Sequence, residues 1–322
     1  MKERMIVGLL AAAFVASIVV GLTMMVSAPP VEVGGRLGPI RNGYAVVDLV
    51  DSINAVTAAE VTARFQVLGR NRRVKAVVVR VNSPGGSVAA TQEMHREVLR
   101  LREKDVPVVV SVADVGASGA YYVACGASRI FADEGSIVGS IGVISIFPNI
   151  EVLFEEKLGI RTKVITSGKW KDSGSPLRDM TPEEEEKFTE RIQVVYEQFF
   201  DAVKRGRLDA VKKRLAEEDE GEVDDEEALK RLREFAQGQV FLGEEARATG
   251  LIDEIGNFYD AVAKAKELAG LPDDAPRVAD ETMMTKILEA MGVPEGESPA
   301  GVANRLTAVR IEYRYLPGGI LE

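Results

Sequence analysis

Apolar positions fall into three regimes along the chain. Met5 to Val26 is an unbroken apolar run without a charge, relieved only by the hydroxyls of Ser17 and Thr23. From Tyr44 to Phe147, β-branched runs alternate with stretches of helical spacing, and beyond Thr181 helical spacing dominates. At about 1.5 Å per residue the first run reaches roughly 33 Å, enough to cross a bilayer core. Lys2 and Arg4 precede it, which predicts a cytoplasmic N-terminus (1–4), an anchor (5–26) and an extracytoplasmic remainder. A cleaved secretory signal is the competing reading, with Val26-Ser27-Ala28 as a small-residue cleavage site. The run is longer than a signal core, and Pro29-Pro30 makes a poor scissile partner, so the anchor reading is preferred.

Residues 27–42 are rich in proline and glycine and read as a tether. The pattern then predicts a strand over Tyr44–Val50, a helix over Val56–Leu68, and a buried strand over Val74–Val81. A helix over Val88–Leu101 and a strand over Val106–Val112 follow, with Pro107 tolerated at the strand start. Ser118–Gly126 reads as a helix, Arg129–Ala132 as a strand, and Ile137–Phe147 as an apolar extended stretch. Such alternation implies right-handed βαβ units in a parallel α/β sheet, whose ligands gather at the carboxyl ends of the strands.

Thr181-Pro182-Glu183-Glu184 marks a helix start, with a capping threonine, proline at the first helical position and acids in the first turn. The charge-dense run from Arg214 to Arg233 reads as a solvated helical surface, and Asn257–Leu268 as an amphipathic helix. This delimits a folded domain over 43–270. An extension over 271–322 has possible elements at Met284–Met291 and Val309–Leu316. In the latter, Ile311, Tyr313 and Tyr315 alternate with polar residues, as in a half-buried strand that needs a partner surface.

Composition narrows the chemistry. The 322 residues are 46% hydrophobic and 28% charged, with a formal charge of -10, which argues against a nucleic-acid partner. The lone cysteine, Cys125, lies among small apolar residues and reads as a buried structural thiol. The only histidine, His95, sits in a charged helical stretch and reads as solvated or lightly packed. A histidine-based nucleophile or a zinc site would have to use it, so neither is expected.

Two motifs follow buried strands. Ser118 stands among Gly116, Ala117, Gly119 and Ala120 at a strand-to-helix turn, where a serine is exposed and a substrate backbone can approach closely. On this fragment alone an ordinary capping serine is the preferred reading. Asn82-Ser83-Pro84-Gly85-Gly86 can aim backbone N–H groups into a cleft as an oxyanion hole, or can simply make a tight turn. A nucleophilic serine needs a base. With His95 set aside, lysine comes next, because burial lowers a lysine's pKa. Lys169 and Lys171 flank Trp170, and from the residues alone each reads first as a surface group.

VNSPGGSV (81–88), GASGAYYVACGASRIFA (116–132), GSIVGSIGVI (135–144) and SGKWKDSGSPLRDMTPEE (167–184) together resemble the signal peptide peptidase A family. These are membrane serine–lysine proteases of the ClpP/crotonase fold, and the resemblance extends from about Ala45 to Leu268. It implies a βαβ superhelix with a helical C-terminal part. It also implies Ser118 as nucleophile, Lys171 as general base in an apolar, water-excluded pocket, and Lys169 as non-catalytic. Gly86 and Gly119 would supply the oxyanion-hole N–H groups, and Ser140 would orient the lysine. Ala120 departs from the family, which commonly has glycine there. The resemblance implies no cofactor, hydrophobic peptide substrates such as signal peptide remnants, and a homo-oligomeric ring in which neighbours complete each other's groove. Rival readings are a crotonase-like acyl-CoA enzyme, which needs no Ser-Lys pair, and a catalytically silent membrane scaffold.

Overall fold

The computed structural model describes residues 41–218 and 221–278. The anchor predicted over 5–26, almost all of the tether, and the elements predicted around 284–291 and 309–316 lie outside them. Among the described residues no helix is long and apolar enough to cross a membrane. The compact unit that carries the fold begins at Asn42.

Strands β1 (Gly43–Val50), β2 (Val74–Ser83), β3 (Val108–Ala117) and β4 (Arg129–Ala132) alternate with helices α1 (Ala55–Leu68), α2 (Val88–Arg102) and α3 (Gly119–Cys125). After β5 (Ile137–Gly139) comes a long stretch whose one regular piece is a π-helical turn at Leu153–Lys157. The chain then forms α4 (Pro182–Glu218), α5 (Asp225–Phe235), β6 (Val240–Leu242), α6 (Gly243–Ala248), β7 (Glu254–Ile255) and α7 (Phe258–Leu268). The sheet order is β1-β2-β3-β4-β7, all parallel, with β5 beside β3 and β6 antiparallel to β5.

The β-branched runs are continuous because both faces of the sheet are covered. Side chains alternate across a strand, so Val77, Val79 and Val81 pack with α1 and α2 residues such as Phe65, Met94 and Val98. Ala76 and Val78 point the other way, against Ala261, Val262 and Ala265 of α7. The outer edge of β1 is closed by the segment at 276–278: Tyr44 N–H donates to Pro276 C=O at 3.2 Å, and Val278 N–H donates to Tyr44 C=O at 2.7 Å.

Strand β3 extends to Ala117, five residues beyond the Val112 limit read from the sequence, and it changes partner on the way. Val109–Val112 pair with β4, whereas Val115–Ala117 pair with β5. The register with β2 shifts at the same place, between Val81↔Val112 and Ser83↔Gly116. The Asn82 side chain supports the irregularity by accepting from Val115 N–H at 3.1 Å. Ile137–Phe147 is not one extended element, since the strand stops at Gly139 and Ser140 takes a positive φ of 51°. The charged run at 214–233 is divided between α4 and α5, and within it Leu215, Val223, Ala228 and Leu232 are buried.

Candidate active site

Ser118 follows the last residue of β3 and caps α3 with φ 52° and ψ -122°. A non-glycine residue in such a region costs of order 1–3 kcal/mol, so the surroundings must hold it there. They do so from both sides. Its N–H donates to Gly139 C=O at 2.8 Å, and its C=O accepts from Tyr122 N–H at 2.9 Å.

The Pro84-Gly85-Gly86 turn lies directly against this serine. A methyl group placed on Gly85 (φ 94°) would stand 2.5 Å from the Gly119 amide nitrogen and 2.9 Å from Ser118 Cβ. Gly86 (φ 157°) is closed in by Ile53, whose C=O would lie 2.0 Å from an added methyl. Ile53 N–H donates to Gly85 C=O and Ser87 N–H to Ile53 C=O, both at 2.8 Å, so the turn is pinned on each side of Gly86. Neither Gly86 N–H nor Gly119 N–H donates to any described residue. Two free backbone donors therefore flank one serine at the carboxyl ends of β2 and β3, the requirement for binding an oxyanion.

Ser140 is the next residue after the Gly139 carbonyl that holds Ser118, and its own N–H donates to Gln239 C=O at 2.8 Å. The structure thus gathers Ser118, Gly86 and Gly119, with Ser140 one residue from the Ser118 support. Lys171 is not part of that cluster. It is exposed and makes no side-chain hydrogen bond or ion pair with a described residue, so the described residues do not form the water-excluded pocket expected around it.

Lys171 belongs to a stretch with no buried residue from Gly142 to Glu183. Large apolar side chains are bare along it, among them Ile144 at 80%, Ile146 at 78% and Ile165 at 83% exposed. The stretch nevertheless has internal order. Ile150 N–H donates to Pro176 C=O at 2.7 Å, and the Phe147 and Phe188 rings meet at 4.5 Å. Trp170 lies under two ammonium groups, Lys169 at 4.9 Å and Lys187 at 5.0 Å from its ring centre. Lys169 is ion-paired with Glu183.

Arg178 is the residue here that sequence reasoning passed over. Its Nε donates to Asp172 at 2.9 Å and its two terminal nitrogens fork onto Glu184 at 2.9 and 2.6 Å. The guanidinium holds both carboxyls below their ordinary range, with Thr181 N–H also donating to Glu184. Thr181 and Glu184 form a reciprocal capping box at the start of α4. The residue after Lys171 is thereby tied to the start of α4. The available signal was a lone arginine inside an acidic motif.

His95 departs from its sequence reading. It is 5% exposed, edge-on to Tyr122 at 5.0 Å, and its pKa is lowered to about 4, chiefly by burial and then by Arg205, Arg96 and Arg102. Cys125 is buried, as read, and its thiol is pushed up to about 12, mainly by burial. Among the described residues no cluster of His, Cys, Asp or Glu could hold a metal ion.

The profile of peptidase family S49 matches residues 100–223 and 222–272, over half of the chain. The chain belongs to peptidase family S49. That span contains Ser118, Gly119, Ser140 and Lys171, and the Clp protease profile matches residues 42–138, which include Gly86. A putative protease of Synechocystis is 36% identical over 73% of this chain and 77% of its own length. Protease 4 of Salmonella typhi is 31% identical over 88% of this chain but 44% of its own length. The putative signal peptide peptidase SppA of Enterococcus faecium is 32% identical over 71% of this chain and 64% of its own length. The chain is a peptidase, and its βαβ half has the Clp protease-like fold.

Proposed function

We propose that this peptidase is a membrane-anchored serine endopeptidase in which Ser118 attacks the scissile carbonyl and Lys171 is the general base. The observation that carries the reading is Ser118 itself, held on a strained turn between two glycine N–H groups that donate to no described residue. Lys171 takes the Ser118 proton, the oxyanion rests on Gly86 N–H and Gly119 N–H, Lys171 protonates the leaving amine, and water releases the acyl group. Ser140 orients the lysine.

A lysine base needs drier surroundings than the exposed stretch at 142–183 offers in one chain. A second copy packed over that apolar stretch supplies them, and neighbours in a homo-oligomeric ring then share a groove. Hydrophobic peptides, such as signal peptide remnants, are the substrates this reading favours. Support comes from the name of the Enterococcus relative and from the apolar run at 5–26, which would tether the domain to the outer face of the cell membrane.

The test is cleavage of a hydrophobic peptide by the wild type, Ser118→Ala, Lys171→Ala and Lys169→Ala. The first two are expected to lose about three orders of magnitude or more, non-additively, and Lys169→Ala to keep most activity. Mixing Ser118→Ala with Lys171→Ala subunits restores activity if the pair forms between copies. Activity that survives Lys171→Ala but not Lys169→Ala would sink the assignment of the base.

A further inference from the structure

Thr91, in the first turn of α2, is 3% exposed, and its hydroxyl oxygen is buried without a hydrogen-bond partner. Buried threonines in helices ordinarily satisfy themselves by bonding a carbonyl one turn back. This chain does so elsewhere: Thr62, buried in α1, donates its Oγ1 hydrogen to Ala58 C=O at 2.6 Å. Thr91 forgoes that bond, although its own N–H donates to Ser87 C=O in the ordinary helical way. Its hydroxyl is turned to Gly119 instead. A methyl on Gly119 would stand 2.5 Å from Thr91 Oγ1 and 3.2 Å from the Gly86 nitrogen. Gly119 has no positive φ, so its backbone makes no special demand for glycine; the space taken by the Thr91 hydroxyl does.

A buried hydroxyl that no described residue satisfies is left available to another partner. In the proposed mechanism the two amide donors beside it, Gly86 N–H and Gly119 N–H, take the negative charge that develops on the substrate carbonyl oxygen. A hydroxyl with no fixed partner is free to point its dipole that way, and in a dry interior the dipole acts at longer range than in water. We propose that Thr91 is a positioning residue of the oxyanion hole. Its spare hydroxyl, buried behind Gly119, orients toward the developing oxyanion and acts through the Gly119 peptide without touching substrate. The inference rests on Ser118 being the nucleophile.

Valine has the shape of threonine without the hydroxyl, so Thr91→Val separates polarity from packing. The expected result is a fall in kcat of about fivefold to tenfold with KM within about twofold of wild type. That loss is smaller than the hundredfold or more for removing a donor in direct contact, because Gly119 stands between. Melting temperature stays equal or rises, since an unpaired polar group has been removed. Thr91→Ser restores kcat to within about twofold. A Thr91→Val enzyme with wild-type kcat overturns the inference. So does one whose kcat falls together with its melting temperature, because the hydroxyl is then a packing or water-binding group of the resting fold. Ser118→Ala in the same assay keeps the two readings apart. If it is active, the nucleophile assignment fails and takes this one with it; if it is inactive beside a fully active Thr91→Val, this one fails alone.

Discussion

His95 sits on the buried stripe of α2, one turn from both Thr91 and Val98, with Tyr122 against its ring. The folded imidazole resists protonation down to about pH 4, whereas the unfolded one takes its proton near 6.5. Between those values the unfolded state binds more protons, so stability falls as the pH is lowered from 6.5 to about 4. The loss approaches about 3 kcal/mol, and above 6.5 it disappears. Urea unfolding of the wild type and His95→Gln at pH 7 and pH 4.5 measures it; the variant should be less stable at neutral pH but lose less on acidification. Cys125 makes a second expectation at this scale. With its thiol held near 12 and buried, it should resist iodoacetamide in the native protein at pH 8 and react only after unfolding. The nature of the Ser118 turn was legible from its small neighbours, but the burial of His95 was not. Its neighbours Glu93, Arg96 and Glu97 gave the segment a charged appearance, while the i, i+3, i+4 spacing that places it on the Met94–Val98 stripe carries the physical content.

Each helix and strand of the βαβ part was legible because the valine runs and their helical intervals state one periodicity at a time. The far end of β3 was not. Val115, Gly116 and Ala117 form a strand because β5 is there to pair with them, and the partner exchange depends on Asn82 and a register shift that no local pattern encodes. The same reason limits Ile137–Phe147, which is mostly apolar yet leaves the sheet after Gly139, beyond which no described residue pairs with it. Arg178 is where an element-level prediction can be made. Replacing it with methionine removes the fork onto Glu184 and the bond to Asp172, and frees the turn that carries Lys171 from the start of α4. Trypsin should then cut within 161–171 at least several-fold faster, and kcat should fall about tenfold while the melting temperature of the sheet domain changes little. A variant with faster nicking but unchanged kcat would show that the Lys171 turn needs no tether.

The exposed stretch carrying Ile144, Ile146 and Ile165 is where we propose that a second copy packs, and no signal in the sequence separates such a stretch from core. Trp170, the only tryptophan, lies in it and is 39% exposed, so its fluorescence reports on that cover alone. Raising the concentration of anchor-deleted protein should shift its emission to the blue in step with mass by light scattering and with specific activity. Ile144→Asp with Ile165→Asp should abolish all three changes. A blue shift without a change in mass would place the cover within one chain. Helix α4 gives the proposed assembly a mechanical side. Its 37 residues span roughly 55 Å, yet apart from Glu184 its buried side chains begin only at Phe199. Its one glycine, Gly206, rests so closely on the end of α3 that an added methyl would stand 2.1 Å from Cys125 C=O. The helix is thus a lever with its fulcrum at Gly206, a long arm ending at the Lys171 tether and a bearing on the short helix that Ser118 caps. Were a second copy to bear on the long arm, the load would pass to the short helix behind Ser118, the proposed nucleophile.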